Sequence, residues 1–310
     1  MRRLTAIALV LAAALLLTVP ALALTDEEYD AAAAEAGRAA VAACVTEDMT
    51  DLEKLTALHD WLALHCDYGA TLRSGTAYGA LAEGSAVCTG YAAGYALLAE
   101  LAGLEGIDTY SEMLDHAWIL ATLDGGRYFS DCTWDDGKNQ KLGLIRHAYF
   151  LFDAKNALDT GHYGWDSPEV VAGGALESVP WLSAVTRVIF HGKYAYYIDA
   201  DFCLQRCDRD TWETECLAEL PDRWPDGEEL YTGLILVRER LYFNTADAIY
   251  YYDLRTDAIR AVRRPGAADR LLYGVAVRDG RLCYSLAESA SCLDYDVIDT
   301  GISMRGAWGY

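Results

Sequence analysis

The chain is short of basic residues: 25 Lys and Arg stand against 47 Asp and Glu in 310 residues, a formal net charge of −22. Nucleic acid and anionic membrane surfaces repel such a chain and are disfavoured as partners. Beyond the N-terminus, no segment is long or apolar enough to span a bilayer. No C-x-x-C or H-x-x-x-H pair is present, so the usual spacings of a zinc site are missing. Nor is there an Asp-x-Asp-x-Asn loop ending in Glu to bind calcium. No cofactor is expected. Cys88, His116, Asp131 and Cys132 have metal-ligating side chains, and a metal reading of them is the lesser alternative.

At the N-terminus, Arg2-Arg3, the apolar residues 4–19 and Ala21-Leu22-Ala23 form a secretory signal peptide, with cleavage expected after Ala23. The apolar run is of borderline spanning length, so an uncleaved anchor is the alternative. No cysteine lies at the cleavage site, which argues against a lipoprotein. A secreted, extracellular protein is expected, and losing Arg2 and Arg3 takes the charge from −22 to −24. The bland reading of that charge is solubility; the functional one is attraction to Lys-rich partners.

Three motifs carry the chemistry: Cys88-Thr89-Gly90-Tyr91, His116-Ala117-Trp118 and Asp131-Cys132-Thr133-Trp134-Asp135. A thiol nucleophile needs a base, and the base needs a group that fixes its tautomer. Cys88, His116 and Asp131 supply these in order. Apolar spacing from Cys88 to Gly103 predicts a helix with Cys88 at its start, where free N–H groups and the helix dipole favour a thiolate. His116 to Thr122 and Arg127 to Trp134 read as strands joined at Asp124-Gly125-Gly126. Any two-residue turn there puts His116 and Asp131 on one face, with Trp118 and Thr133 beside them.

These residues resemble the transglutaminase-like superfamily, in its bacterial secreted branch related to papain-like cysteine peptidases. The resemblance covers about residues 51–165, from His59-Asp60-Trp61-Leu62 through Cys66-Asp67-Tyr68, Ala77-Tyr78-Gly79-Ala80-Leu81 and the three motifs to Tyr149-Phe150-Leu151 and His162. It implies an α+β papain-like core with the Cys-bearing helix packed on a small antiparallel sheet. It also implies Cys88 as nucleophile, His116 as base and Asp131 as its orienter. Tyr78 is a candidate oxyanion donor and Trp118 a cleft wall, although packed aromatics are the commoner case. His59, His65 and His147 read as helix or loop residues without partners, and His162 as structural. Two departures stand out: the segment between Cys88 and His116 is short, and Ile119 stands where an Asn often follows His-Ala-Trp.

Thr25-Asp26-Glu27-Glu28 and Thr50-Asp51-Leu52-Glu53 have capping-box form and open two helices ahead of the catalytic segment. Residues 166–183, with Pro168, Gly173-Gly174 and Pro180, read as a linker. After it, short β runs recur about every 40 residues, with matching strand starts at Gly192, Glu239 and Gly280 and closing turns at 208–211, 253–256 and about 296–300. The period is that of propeller blades, and three repeats leave a blade-like array or an open meander. The division expected is 1–23 signal, 24–165 catalytic, 166–183 linker and 184–310 β-repeat domain. Of nine cysteines, Cys203 with Cys216 and Cys283 with Cys292 are expected to bridge across hairpins.

The resulting expectation is a secreted cysteine acyl-transfer enzyme on a protein or peptide substrate, associated with the cell envelope or free. It acts as a peptidase, deamidase or transglutaminase. A non-catalytic envelope or protein-binding module with a relic triad is the alternative.

Overall fold

The computed structural model describes residues 24–136, 145–166, 176, 178–220, 224, 231–266, 270–289 and 296–309. The signal segment, most of the expected linker and Cys292 lie outside them. Helices and antiparallel sheets are mixed, and no sheet among the described residues closes into a barrel. No helix among them is long and apolar enough to cross a membrane.

Two capped helices come first. Thr25 and Glu28 exchange hydrogen bonds at the start of α1 (Asp26–Cys44), and Thr50 and Glu53 do the same for α2 (Asp51–His65), so both capping boxes form. α2 buries Leu55, Leu58 and Leu62, but also Glu53, Thr56, His59 and Asp60. Buried polar groups of that kind need internal partners. Thr56 bonds the Leu52 carbonyl of its own helix, Glu53 meets Arg209, and His59 and Asp60 lead toward the candidate site.

β1 (Asp67–Tyr68) pairs in parallel with β2 (Ser85–Ala86) and so fixes the approach to α3 (Cys88–Leu101), whose first residue is Cys88. α3 packs on a sheet of order β3-β4-β5, formed by β3 (Gly106–Ser111), β4 (His116–Leu123) and β5 (Gly126–Ser130). Tyr91, Tyr95 and Leu98 of the helix share one core with Trp118, Ile119 and Leu120 of β4.

β4 and β5 meet at Asp124-Gly125, both at positive φ (50° and 76°), with Leu123 paired to Gly126. That is the expected two-residue hairpin, with the backbone twist such turns require. The second strand is shorter than expected. It ends at Ser130 rather than Trp134, because the Asp131 carboxylate accepts the N–H groups of Thr133 (3.0 Å) and Trp134 (3.1 Å) and starts the short helix α4 (Cys132–Asp136). A capping aspartate competes with strand pairing and wins here. α5 (Ala154–Asp159) follows, capped by Asp153.

After a turn of 3-10 helix at Pro180–Ser183, three antiparallel meanders run in chain order. The first is β6 (Ile189–His191), β7 (Tyr194–Ile198), β8 (Cys203–Asp208) and β9 (Thr214–Glu219). The second is β10 (Leu234–Val237), β11 (Arg240–Asn244), β12 (Ile249–Asp253) and β13 (Ala258–Arg263). The third is β14 (Leu271–Arg278), β15 (Arg281–Ala287) and β16 (Asp296–Ser303). Ile198 and Leu204 pack with Leu236 and Phe243 between the first and second, and Ile235 and Tyr242 with Val275 and Tyr284 between the second and third.

Turns fall at the first two expected closing positions. The third does not: 296–300 lies inside β16, where Asp296 and Asp299 are exposed residues of an edge strand rather than turn residues. Cys203 and Cys216 are bridged, but in a different register from the one expected. The Asp208 N–H donates to the Glu213 carbonyl across a longer turn, Cys216 faces Gln205, and a bulge at Leu204/Gln205 brings the two cysteines together diagonally.

The first meander shares its core with the N-terminal helices: Val188, Phe190, Ala195 and Tyr197 join the cluster that contains α2 and α3. Arg209, after β8, makes a forked contact with Glu53 of α2, Nε–Oε1 and Nη2–Oε2 both 2.7 Å. Glu53 is 1% exposed. Arg209→Met strands that carboxylate without its cation, and should destabilise the protein by about 3 kcal/mol, read as a lower urea midpoint. The double variant with Glu53→Gln should recover part of the loss.

Candidate active site

Cys88 sits half-buried at the first position of α3, where the leading N–H groups have no acceptor within the helix. Burial alone would raise its thiol. The hydrogen bond with His116, the backbone N–H groups of Ala117 and Thr89, and the nearby imidazole outweigh burial and hold the thiol below its ordinary value. The other free cysteines among the described residues go the opposite way: burial pushes Cys44 and Cys66 up to about 12 and Cys207 to about 11, and also raises Cys132 and Cys283. Cys88 is therefore the described thiol with the greatest thiolate character.

His116 begins β4 and lies 2.6 Å, Nε2 to Oδ2, from the fully buried Asp131. An ionised carboxylate only accepts, so Nε2 carries the hydrogen and Nδ1 is the nitrogen left for Cys88. Burial pulls the imidazolium down, but the Asp131 carboxylate and the Cys88 thiol more than offset it, and His116 is pushed up to about 9. Trp134 stacks on the His116 ring at 5.0 Å, and Trp118, 1% exposed, lies 5.7 Å away as a wall behind it. The structure thus brings Cys88, His116, Asp131 and Trp118 together. It gives Tyr78 a different partner: its ring meets Tyr29 of α1 edge-on at 4.7 Å.

Residues 38–130 match the family model of the transglutaminase-like superfamily. This segment is a transglutaminase-like domain. The match holds Cys88 and His116 and stops one residue before Asp131. A crystal structure of a TGase is 15% identical to the chain at a TM-score of 0.29, covering 49% of this chain and 40% of that one. The N-terminal domain of Nup159 is 12% identical (TM-score 0.25, covering 58% and 40%) and the computationally designed Ika4 protein 8% identical (TM-score 0.24, covering 59% and 84%). The chain thus spans about 40% of the first two of these chains. No curated protein matches the sequence.

Three histidines of the transglutaminase-like domain and its continuation have partners that sequence spacing did not reveal. His162 Nε2 lies 3.0 Å from the same Asp131 Oδ2 that holds His116. His59, fully buried, bonds Asp60 through Nδ1 (3.0 Å) and Asp135 through Nε2 (3.1 Å). His147 bonds Asp60 through Nε2 (2.8 Å) and the Ala184 carbonyl through Nδ1 (3.0 Å), while the second Asp60 oxygen accepts the Val188 N–H (2.6 Å). Only the adjacency His59-Asp60 and the four-residue step from Asp131 to Asp135 hinted at this. His65 is held by the Trp61 carbonyl and stacks on the Trp61 ring.

Among the described residues, two donor sets are compact enough for one metal ion, His116 with Asp131 and His162, and His59 with Asp60 and His147. In both, the nitrogens facing the carboxylate already have hydrogen-bond geometry. His59 faces carboxylates on both sides and so needs hydrogens on both nitrogens. Burial opposes that charge, but Asp135 and Asp60 outweigh it and push His59 up to about 9, while the two histidines hold Asp60 well below the usual carboxylate range.

A raised imidazolium stabilises the fold fully below its unfolded value of about 6.5 and ceases to do so as pH rises through the folded value. Thermal melts should therefore drop between pH 6.5 and about 9, with a shallower slope in His59→Gln, which is also less stable at pH 6. A second expectation concerns Gly90, where a Cβ would meet the Ser74 carbonyl at 2.1 Å. Gly90→Ala must shift the first turn of α3, so it should cost about 1–3 kcal/mol and slow alkylation of Cys88.

Proposed function

We propose that this chain is an exported cysteine acyl-transfer enzyme that acts on amide bonds of proteins or peptides. The observation that carries the reading is Cys88, a helix-start thiol held down by an imidazole whose far nitrogen is tied to a buried carboxylate. The match to the transglutaminase-like superfamily supports it.

In this reading the Cys88 thiolate adds to the amide carbonyl carbon, and the resulting oxyanion faces the N–H groups at the very start of α3, ahead of those of Gly90 and Tyr91, which the Val87 carbonyl accepts. The His116 imidazolium gives its proton to the departing nitrogen as the C–N bond breaks, which leaves a thioester and a neutral imidazole. An acceptor then loses a proton to His116 and attacks the thioester, and the C–S bond breaks to restore thiolate and imidazolium. Water as acceptor gives peptide cleavage or glutamine deamidation; a lysine amine gives a cross-link. The same three residues serve both outcomes, since what the cleft admits decides between them.

The same proposal places export in residues 1–23 with cleavage after Ala23, catalysis in 24–165, a linker in 166–183 and a β-repeat unit in 184–310. Three meanders stacked face to face support a blade-like open array, suited to holding a substrate or an envelope component against the domain.

The test uses mature protein and a Cys88→Ala control on a protein containing Gln and Lys, with and without a labelled primary amine, read by mass spectrometry. Cys88-dependent amine incorporation is expected of a transferase, and Cys88-dependent cleavage or a deamidation mass shift of a hydrolase. Asp131→Asn should lower either rate at least about 10²-fold. Silence in every channel, with Cys88 unreactive to alkylation, would leave a binding module with a relic triad instead.

A further inference from the structure

We propose that His162 is a fourth member of the site, a positioning residue that fixes the Asp131 carboxylate against His116. The inference rests on the Cys88–His116–Asp131 reading above and adds a residue to it.

Among the described residues, the Asp131 carboxylate accepts four hydrogen bonds. Oδ1 accepts the backbone N–H groups of Thr133 and Trp134, and Oδ2 accepts His116 at 2.6 Å and His162 at 3.0 Å. The two backbone bonds come from the start of α4 and restrain Oδ1, while Oδ2 faces the His116 imidazole. A second donor at Oδ2, arriving from the segment after α5, restrains that oxygen independently of His116. His162 is well suited to this task because nothing about it is loose: it is fully buried, with its ring against Trp134 (4.2 Å), Phe152 (4.8 Å) and Trp118 (5.0 Å). Its Nδ1 meets the Thr160 hydroxyl at 3.1 Å, and its backbone N–H closes α5 on the Ala157 carbonyl at 2.7 Å.

The carboxylate can only accept, so the His162 nitrogen facing it carries a hydrogen. That nitrogen does not reach a substrate: Asp131 stands between it and His116, and the His116 and His162 ring centres are 6.2 Å apart. The residue therefore acts through Asp131. Supporting groups of this kind keep a reactive imidazole in its productive orientation, and a small misplacement of that imidazole is costly. The site is then closed from behind by the segment that follows α5, well beyond the third motif.

The deciding measurement is the rate of Cys88 alkylation by iodoacetamide against pH on the full mature chain, with modified peptides resolved by mass spectrometry. Wild type is compared with His162→Phe, which keeps the ring and loses the donor, and with His162→Gln, whose amide can donate again. Loss of the donor should loosen Asp131, weaken the His116 imidazolium and so weaken the thiolate. Phe should slow alkylation near pH 6 about tenfold and move the midpoint of the acid limb upward, while Gln restores most of both. For amide turnover, kcat should fall with KM little changed. Thermal melts of each variant separate this from unfolding, since lost stability alone does not move the midpoint. A reactive wild type whose rate and midpoint are unchanged in His162→Phe overturns the inference alone, as does a downward midpoint or a Gln variant as impaired as Phe. A wild-type Cys88 unreactive at every pH below that of an ordinary thiol overturns the underlying site reading and this inference together.

Discussion

The buried carboxylate of Asp131 is the constraint on which the rest of the arrangement depends. A carboxylate without solvent keeps its charge only when donors surround it, and here two backbone N–H groups and two imidazoles do so. The same side chain ends β5, starts α4, sets the tautomer of His116 and engages His162. Its burial strengthens each of these contacts, because no water competes for them. The consequence reaches Cys88, whose thiol stays low only while an imidazolium is kept beside it.

A second buried carboxylate, Asp60, does for the scaffold what Asp131 does for the site. It joins His59 of α2, His147 beyond α4 and the backbone at Val188, just ahead of β6. Through His59 it reaches Asp135, whose carboxylate holds the Tyr149 N–H, while the Tyr149 carbonyl accepts the Asp131 N–H. Hydrogen bonds linked through Tyr149 therefore run from the entry to the first meander to the backbone N–H of Asp131. Together with Arg209 on Glu53, it ties the β sheets to the helices through charge as well as through apolar packing.

Local signals made a good part of this legible in advance. The two capping boxes, the helix start at Cys88 and the Asp124-Gly125 turn are short-range patterns in which side chain and backbone interact within a few residues, and they formed as read. The errors share a cause as well. Asp131 read as a strand residue and Asp296 and Asp299 as turn residues, because an aspartate is compatible with a cap, a turn or an exposed strand face. Which of these it adopts depends on neighbours that are distant in sequence. The Cys203–Cys216 bridge follows from reading a hairpin turn at 208–211, while its register differs because the turn is longer and a bulge is invisible in spacing alone.

The sequence by itself determined the order of thiol, imidazole and carboxylate, the helix that starts at the thiol, and the two-residue turn that pairs β4 with β5. Each follows from residue order or from local helix and turn signals. Only the tertiary structure decided that His162 shares Asp131, that His59, Asp60, His147 and Asp135 form one buried network, and that Tyr78 packs on Tyr29. These contacts join residues from separate elements, up to 87 positions apart for His147 and Asp60. Their charges tolerate burial only because folding removes water and supplies a partner in the same step.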